Sequence, residues 1–441
     1  MKKDISVKSG SSRQPADIEK IISSYRRFVP HQMLGLLGKE SITDVELGDQ
    51  VEKNLTVLFS DIRDFTAMAE VFSPKESMNF INSYLSQMET LVSAHNGIID
   101  KFIGDAIMAI FPESAEDAVN CSLSILKQLD KYNEERKACG LSPISIGIGL
   151  NTGLCMFGTV GGLNRMESTV IGDVVNISSR LESETKRYGV QLLIGENTYY
   201  GLPDVGRHNI RFIDRVLVKG KSRPQSVYEV YDNDSADVKR LKNETKLLFE
   251  EALAHYHYRK MDAAKAMLEK CMMINPGDKP AKFYLERCKA FEATGIHEGA
   301  SELNQRLEWS SEFEAGIPVT DRQHRQLFNI STELLDKVEL QDKKKEIDKI
   351  VSFLDDYILI HFRTEEKIMS DAGYPFLKHQ QEQHARFIEN FKQLKGEIED
   401  HKQSSTYLMF RIQVFLIDWL INHTMKKDSH FGRYLKSRGN C

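Results

Sequence analysis

The sequence predicts an α+β chain with three parts: a ferredoxin-like antiparallel sheet domain, a short helical hairpin and a C-terminal four-helix bundle. Strand and helix patterns alternate between residues 55 and 230, and two amphipathic segments follow between Phe249 and Phe291. Four long helical patterns then fill the region after Trp309. At 441 residues the chain is too long for one core, because domains usually have roughly 100–200 residues.

Composition limits the class of protein. Hydrophobic residues make up 41% and charged residues 28%, which is typical of folded globular chains, and the net charge of −5 gives no basic surface for nucleic acid. The most apolar late segment, Phe410 to Ile421, contains charged residues and is shorter than the roughly 20 residues of a membrane span. No signal peptide is evident, and the six cysteines are scattered without paired spacing. We therefore expect a cytoplasmic protein without membrane insertion.

The sheet domain is predicted over 51–232, after a flexible tail over 1–16 and a helical lead-in over 17–50 that is broken at Pro30. Its predicted order is β-α-β-β-α-β. The elements are the strand LTVLFSD, a helix over 76–95, the strand pair IIDKFIGDAIMAIF turning at Gly104-Asp105, a helix over 115–138, the strand ISIGIGLN and a helix from about Val174.

Residues 233–245 are polar and charged, which predicts a linker. The hairpin predicted over 245–300 resembles a single tetratricopeptide-type unit, and one such unit cannot bury both of its faces. We therefore expect it to pack between domains and do not expect a peptide-binding array. Within the bundle, predicted over 305–441, the four helices are expected near 320–338, 342–368, 376–400 and 407–430.

Two acids stand at strand ends in the sheet domain, Asp61 in FSDIRDFT and Asp105 in KFIGDAIMA. If the two strands are neighbours, both carboxylates lie at one edge of the sheet and form an oxygen site suited to Mg²⁺ or Mn²⁺. An acid at a strand end is more often a cap or a solvated turn. Asn176 and Arg180, in VVNISSR, share one helix face and can contact ribose and phosphoryl oxygens, although a lone pair of this kind is usually an ordinary polar face.

Four segments occur in one order between residues 59 and 230: FSDIRDFT, KFIGDAIMA, TVIGDVVNISSR and VKGKSRPQSVYEV. Together they resemble the catalytic domain of class III nucleotide cyclases. The resemblance implies that Asp61, Asp105 and the carbonyl of Ile62 bind two Mg²⁺ or Mn²⁺ ions and that Asn176 and Arg180 stabilise the transition state. It also implies that Lys219 or Lys221 binds the terminal phosphates. In this family the metal residues and the Asn/Arg pair of one site come from different domains, so a chain with both sets is expected to form a homodimer.

The base is expected to be adenine. The position that reads N1 of the purine matches Lys101, which only donates hydrogen bonds, and the position facing the amino group matches Thr169, whose hydroxyl can accept one. A guanylyl cyclase would be expected to have a carboxylate in place of Lys101. The predicted reaction is therefore the conversion of ATP to 3′,5′-cyclic AMP and pyrophosphate. The alternative is a catalytically silent cyclase scaffold that carries an iron-binding module.

The bundle contains histidines and acids on four separate predicted helices. The residues are His324, His361 with Glu365, His384, and His423 with Asp428. Imidazoles with two bridging carboxylates suit a pair of non-heme iron ions, and the set resembles hemerythrin over about 130 residues. The third helix of that family usually carries H-x-x-x-H, but aligning on His384 gives Gln380 at the first position.

His379 lies one residue earlier, about 100° round the helix, so it could bind the metal only if the helix shifts locally. We therefore expect an iron that lacks one imidazole and has an open or water-filled position. That arrangement favours a sensor of oxygen, nitric oxide or redox state over an oxygen carrier. A mononuclear or metal-free bundle stays open as an alternative.

Overall fold

The computed structural model describes residues 31–162, 164–217, 224–298, 309–336, 343–399, 403–423 and 428–438. The predicted tail over 1–16, the first part of the lead-in, and Lys219 and Lys221 lie outside these residues. Of the lead-in, the structure describes helix α1 (His31–Leu37) and a short 3-10 helix at Ile42–Asp44.

One eight-stranded sheet forms the first domain. Its strands are β1 (Gln50–Ile62), β2 (Ile98–Ile103), β3 (Ala106–Phe111), β4 (Ile146–Gly162), β5 (Arg165–Ile171), β6 (Leu192–Gly195), β7 (Ile210–Leu217) and β8 (Pro224–Val230). The order is β2-β3-β1-β4-β6-β8-β7, and β5 pairs with β4. Only the β4–β6 pairing is parallel among these described strands. The predicted α+β sheet domain with the β2–β3 hairpin is confirmed.

Within the described ranges, five helices follow the strands of this sheet. Because alternate strand residues point to opposite faces, β1, β3 and β4 each contribute to two apolar clusters. The helices are α2 (Phe65–Ala69), α3 (Pro74–Ala94), α4 (Ala115–Ala138), α5 (Asp173–Tyr188) and α6 (Glu196–Tyr199). The start of α3 is set by Ser73, whose hydroxyl accepts from the amide of Glu76 while its own amide donates to the Glu76 carboxylate. Leu58 faces the main core, whereas Val57 faces a smaller apolar cluster that also contains Met33 of α1.

The predicted linker over 233–245 is wrong, because helix α7 (Ala236–His257) occupies most of it. The Ser235 hydroxyl caps this helix by accepting from the amide of Val238. Lys242 is buried, and its ammonium lies 2.7 Å from Glu229 and 2.5 Å from Asp234. The polar composition therefore includes an ion pair with the sheet domain, to Glu229, and one within the segment, to Asp234.

Two further helices, α8 (Met261–Ile274) and α9 (Lys279–Thr294), follow α7 and pack against it and against each other, and Phe283 of α9 contacts Tyr188 at the end of α5. Buried Arg211 of β7 binds the Asp278 carboxylate through both terminal nitrogens, at 2.6 and 2.9 Å, and binds Glu229 through Nε at 2.6 Å. A two-pronged guanidinium–carboxylate contact of this kind fixes orientation as well as distance. This contact attaches the hairpin to the sheet, which agrees with the expectation that the hairpin packs between domains.

The C-terminal helices form the predicted bundle. They are α10 (Pro318–Asp336), α11 (Lys343–Asp371), α12 (Leu377–Glu399), α13 (Ser405–Asn422) and α14 (Ser429–Ser437). The last predicted helix, over 407–430, is thus observed as α13 together with the start of α14. One connected cluster of buried apolar residues includes Leu58 of the sheet, Phe249 of α7 and Phe387 of α12. None of the helices in the described ranges combines the length and apolarity needed to cross a membrane.

Candidate functional sites

The carboxylates of Asp61 and Asp105 lie together at one edge of the sheet. Strands β1 and β3 are antiparallel with Ser60 opposite Ile107, so the end of β1 meets the turn that precedes β3. Burial, with the hydrogen bond to Asp105 and the repulsion between the two acids, raises the pKa of Asp61 to about 7. Oδ2 of Asp105 is buried and accepts no hydrogen bond within the described part of the chain. Two crowded carboxylates with a free buried oxygen fit a divalent cation.

A third acid approaches this pair. Glu182 of α5 lies over Gly147, the β4 residue opposite Asp61, so closely that a side chain at Gly147 would meet its Oε1 at 2.6 Å. Burial raises the pKa of Glu182, and the Arg63 guanidinium opposes that shift. The sequence analysis missed Glu182, although it follows Arg180 by two residues on the same helix.

Asn176 and Arg180 are exposed on α5, and the Arg180 guanidinium lies 2.8 Å from Glu184. Val174, beside Asn176, packs over Gly153 of β4, whereas Glu182 packs over Gly147. These helix positions are eight residues apart, or roughly 12 Å along the axis. Asn176 is six residues from Glu182, or roughly 9 Å along the axis, and lies toward the start of α5, whereas Arg180 is two residues from Glu182. No described contact joins Asn176 or Arg180 to those carboxylates.

Lys101 and Thr169 are brought into direct contact. The Lys101 ammonium donates to the Thr169 hydroxyl oxygen at 2.9 Å. It also lies 3.3 Å from Asp100 and 3.6 Å from the exposed Glu167. The Thr169 hydroxyl in turn donates to the Asp100 carboxylate at 3.1 Å. Strand β5 pairs with the far part of β4, and this pairing carries Thr169 to the edge strand β2.

The predicted iron ligands converge in the bundle core. His324, His361, Glu365 and His423 are buried, and one ligand atom from each lies within 4.8 Å of the others. The carboxylate of Glu365 is 3.1 Å from His423 Nε2 and 3.3 Å from His384 Nε2.

The second acid of the set lies in the same core. The carboxylate of Asp428 is 3.2 Å from His324 Nε2 and 3.5 Å from His423 Nε2. The Nε2 atoms of His324 and His361 are 3.2 Å apart. Four imidazoles that direct Nε2 at two buried carboxylates form a donor set that fits iron.

Two polar residues orient the imidazoles of His384 and His361 by contacting Nδ1, the ring nitrogen that points away from Glu365. The Glu366 carboxylate lies 2.8 Å from Nδ1 of His384, and the Gln323 carbonyl oxygen lies 3.0 Å from Nδ1 of His361. Both oxygens only accept, so each Nδ1 carries the proton and each Nε2 presents a lone pair to the centre. The sequence analysis missed both residues, although each is next to a predicted ligand, Glu365 or His324.

Gln380 occupies the core at the position where the family pattern has histidine. It is buried, and its amide nitrogen donates to the Asp428 carboxylate at 3.2 Å. His379 points elsewhere and lines a cavity of about 400 Å³ between the bundle and the sheet domain. Gln380 also borders this cavity, as do Asp173 and Val174 in the first turn of α5.

Buried polar contacts join the bundle to the rest of the chain. The Arg215 guanidinium of β7 lies 2.6 Å from the Asp418 carboxylate of α13, and both side chains are almost completely buried. The hydroxyl of Tyr407 donates to the Glu250 carboxylate of α7 at 2.5 Å. The bundle is thus held against the sheet and the hairpin by charge as well as by apolar packing.

Comparison with known protein families gives one match for the sheet domain and one for the bundle. Residues 48–231 match the model of the adenylate and guanylate cyclase catalytic domain. Residues 315–435 match the model of the hemerythrin HHE cation-binding domain.

Individual relatives agree with the first match. An adenylate cyclase of Anabaena cylindrica is 41% identical over 48% of this chain and 44% of its own length. A terminal-differentiation-specific adenylate cyclase of Dictyostelium discoideum is 36% identical over 62% of this chain and 13% of its own length. The chain thus spans less than half the length of these relatives. Among solved structures, the adenylyl cyclase CyaB of P. aeruginosa is 34% identical over 42% of this chain and 97% of its own, with a TM-score of 0.39.

Proposed function

We propose that this chain, which joins an adenylate and guanylate cyclase catalytic domain to a hemerythrin HHE domain, is an adenylate cyclase regulated by its iron site. The observation that supports it best is the half-buried carboxylate pair of Asp61 and Asp105 at the strand ends of the matched domain, with one buried oxygen of Asp105 that accepts no hydrogen bond from the described residues. The adenylate cyclases among its relatives support the choice of reaction.

The proposed reaction is an in-line attack of the ribose 3′ oxygen on the α-phosphorus. The new O3′–P bond forms as the bond to the bridging oxygen breaks, and pyrophosphate leaves. Two Mg²⁺ or Mn²⁺ ions, held by Asp61, Asp105 and the carbonyl of Ile62, would activate the hydroxyl and neutralise the triphosphate. Arg180 binds the reacting phosphoryl group with a permanent positive charge, and Asn176 orients the ribose. Lys219 or Lys221 binds the terminal phosphates.

The active unit in this proposal is a homodimer with two equivalent sites. Asn176 lies six residues from Glu182, toward the start of α5, and both Asn176 and Arg180 are exposed. A side chain that must touch the substrate from this position does so most simply in a second copy. Each site therefore combines the metal-binding acids of one chain with Asn176 and Arg180 of the other.

A direct assay tests the catalytic half. We expect purified protein with Mn²⁺ or Mg²⁺ to form cyclic AMP from ATP, and we expect Asp105→Asn to lower kcat by at least about a hundredfold through loss of metal binding. Glu89→Gln, on the exposed face of α3, is the matched control and should behave as wild type. A wild-type protein that forms no cyclic nucleotide but binds iron would support the silent scaffold instead.

The regulatory half of the proposal assigns a pair of iron ions to the bundle. The donors are His324, His361, Glu365, His384, His423 and Asp428. When bound, iron would supply exchange of a small ligand or a change of redox state. Gln380 provides no imidazole, so one coordination position is open to oxygen, nitric oxide or water.

Coupling to the catalytic domain has a short physical route. His423 directly follows α13, and Asp418 of α13 is paired with Arg215 of β7. Asp214, the residue before Arg215, accepts a hydrogen bond of 2.6 Å from Tyr188, the last residue of α5. A displacement of α13 at the iron ligands thus reaches the helix of Asn176 through two buried contacts.

Two measurements test this half. Visible absorption and iron content of the purified protein report whether an oxo-bridged pair is present. Cyclase rates are then compared for air-oxidised and anaerobically reduced protein, and we expect them to differ about five- to a hundredfold. Equal rates for both states of an iron-loaded protein would contradict the regulatory role and leave the cyclase proposal intact.

A further inference from the structure

Asp100 is a buried acid beside Lys101 and Thr169, the two residues proposed to face the base. Strand β2 has an irregularity between Ile99 and Lys101: Ile99 pairs with Ala109 and Lys101 with Met108, so Asp100 is the extra residue of a β-bulge. In a regular strand, neighbouring side chains point to opposite faces. The bulge instead lets Asp100 and Lys101 both reach Thr169 on β5.

The three side chains form a closed hydrogen-bonded group. The Thr169 hydroxyl donates to Oδ2 of Asp100 at 3.1 Å and accepts from the Lys101 ammonium at 2.9 Å, while Lys101 and Asp100 are 3.3 Å apart. The Asp100 side chain is completely buried. Burial raises its pKa, and the positive charge of Lys101 and the hydrogen bond from Thr169 oppose that shift.

The direction in which the Thr169 hydroxyl donates its proton decides which base it can bind. A threonine hydroxyl can either donate or accept, so by itself it accommodates the amino group of adenine or O6 of guanine. An ionised carboxylate only accepts, so the Thr169 proton is committed to Asp100. Thr169 is then left as an acceptor. The adenine amino group can donate to it, whereas guanine O6 would meet a second acceptor.

We propose that Asp100 is a positioning residue for base selection: it fixes the Thr169 hydroxyl as an acceptor and so excludes GTP. This inference rests on the proposed use of ATP. Asp100 acts through Thr169 and has no contact with the base. Glu167 does not act on Thr169 in this way. It lies 3.6 Å from Lys101, is half exposed, and has no hydrogen bond to Thr169 among those of the described residues.

The test is the ratio of kcat/KM for ATP to that for GTP. Asp100→Asn keeps the shape of the side chain, but its amide can donate to Thr169 and release the hydroxyl proton toward guanine O6. We expect the ratio to fall by about tenfold or more, chiefly through improved use of GTP. Glu167→Gln is the matched control, because it removes a carboxylate from Lys101 alone and should change the ratio less than about twofold.

A double-mutant cycle distinguishes selection from general destabilisation. In a Thr169→Ala background, Asp100→Asn should leave the ratio unchanged, because the hydroxyl through which it acts is gone. An equal fall in both backgrounds, or a parallel loss of ATP and GTP activity, would overturn the inference. Asp100→Ser, which also removes the obligatory acceptor, replaces Asp100→Asn if that variant does not fold. A wild-type protein that is inactive or prefers GTP would contradict the proposed function itself, whereas an ATP-selective wild type with unchanged variants contradicts only the role of Asp100.

Discussion

Two inactive variants are expected to restore activity to each other. In the proposed homodimer, Asp105→Ala removes an acid proposed to bind metal, and Asn176→Ala removes the amide proposed to orient the ribose. Each homodimer alone then has two defective sites. In a mixed dimer, one site combines the intact Asp105 of one chain with the intact Asn176 of the other, while the second site carries both defects.

The size of the recovery follows from the two-fold arrangement. Random exchange of equal amounts makes about half of the dimers mixed, and each mixed dimer has one working site of two, so we expect about one quarter of wild-type activity. If all catalytic groups acted within one chain, the mixture would stay as inactive as its components. The difference is large because each working site would take Asp105 and Asn176 from different chains.

The assay measures cyclic AMP formation after the two variants are co-expressed or mixed and allowed to exchange. The matched control pairs Asp105→Ala with Asp61→Ala, two defects in the same half of the site. Every dimer then has both sites damaged, so no recovery is expected. Recovery of activity by this control pair would refute the shared-site geometry. So would a lack of recovery by the Asp105 and Asn176 pair in a sample in which mass measurement demonstrates mixed dimers.

Four further outcomes are expected. Lys101→Glu should lower kcat/KM for ATP by about tenfold or more, because a carboxylate would face the N1 acceptor, and unchanged ATP turnover would contradict its assignment. Gln380→His should slow iron loss to a chelator by about tenfold through an added imidazole, so an equal or faster loss would argue against an open position there. Arg215→Met should lower the free energy of unfolding in urea by about 3–5 kcal/mol, because it leaves Asp418 buried without its cation, and adding Asp418→Leu should recover most of that loss. Burial lowers the pKa of His257 to about 4, below its usual value of about 6.5, so the unfolded chain binds a proton that the folded chain does not. Stability should therefore fall by up to about 3 kcal/mol as the pH drops from about 6.5 to 4, and His257→Gln should flatten this part of the urea-unfolding profile.

The sequence predicts the parts of the fold and site that depend on local pattern. The β2–β3 turn is marked by Gly104-Asp105, and the apolar run LTVLFSD predicts a buried strand that ends at Asp61, so the meeting of Asp61 and Asp105 requires only that β1 and β3 pair. The four bundle helices follow from their periodicity for the same reason.

Long-range contacts explain what the sequence did not predict. Asp100 sits in a β-bulge, and a bulge is defined by pairing between strands, which no single strand reveals. The supposed linker is a packed helix, and its Lys242 is paired with Glu229 of the sheet domain, a partner that composition cannot anticipate. Glu366 and Gln323 act on imidazoles of other helices, so their roles depend on bundle packing.

The connected apolar core, from Leu58 through Phe249 to Phe387, has a thermodynamic consequence. Three sequence units that share one core lose it together, so the chain should melt in a single cooperative transition. Any ligand that binds only the folded bundle then also protects the sheet domain, by RT ln(1 + [L]/Kd). Iron supply would in this way set how long the nucleotide-binding half survives in the cell, even when it leaves the reaction rate unchanged.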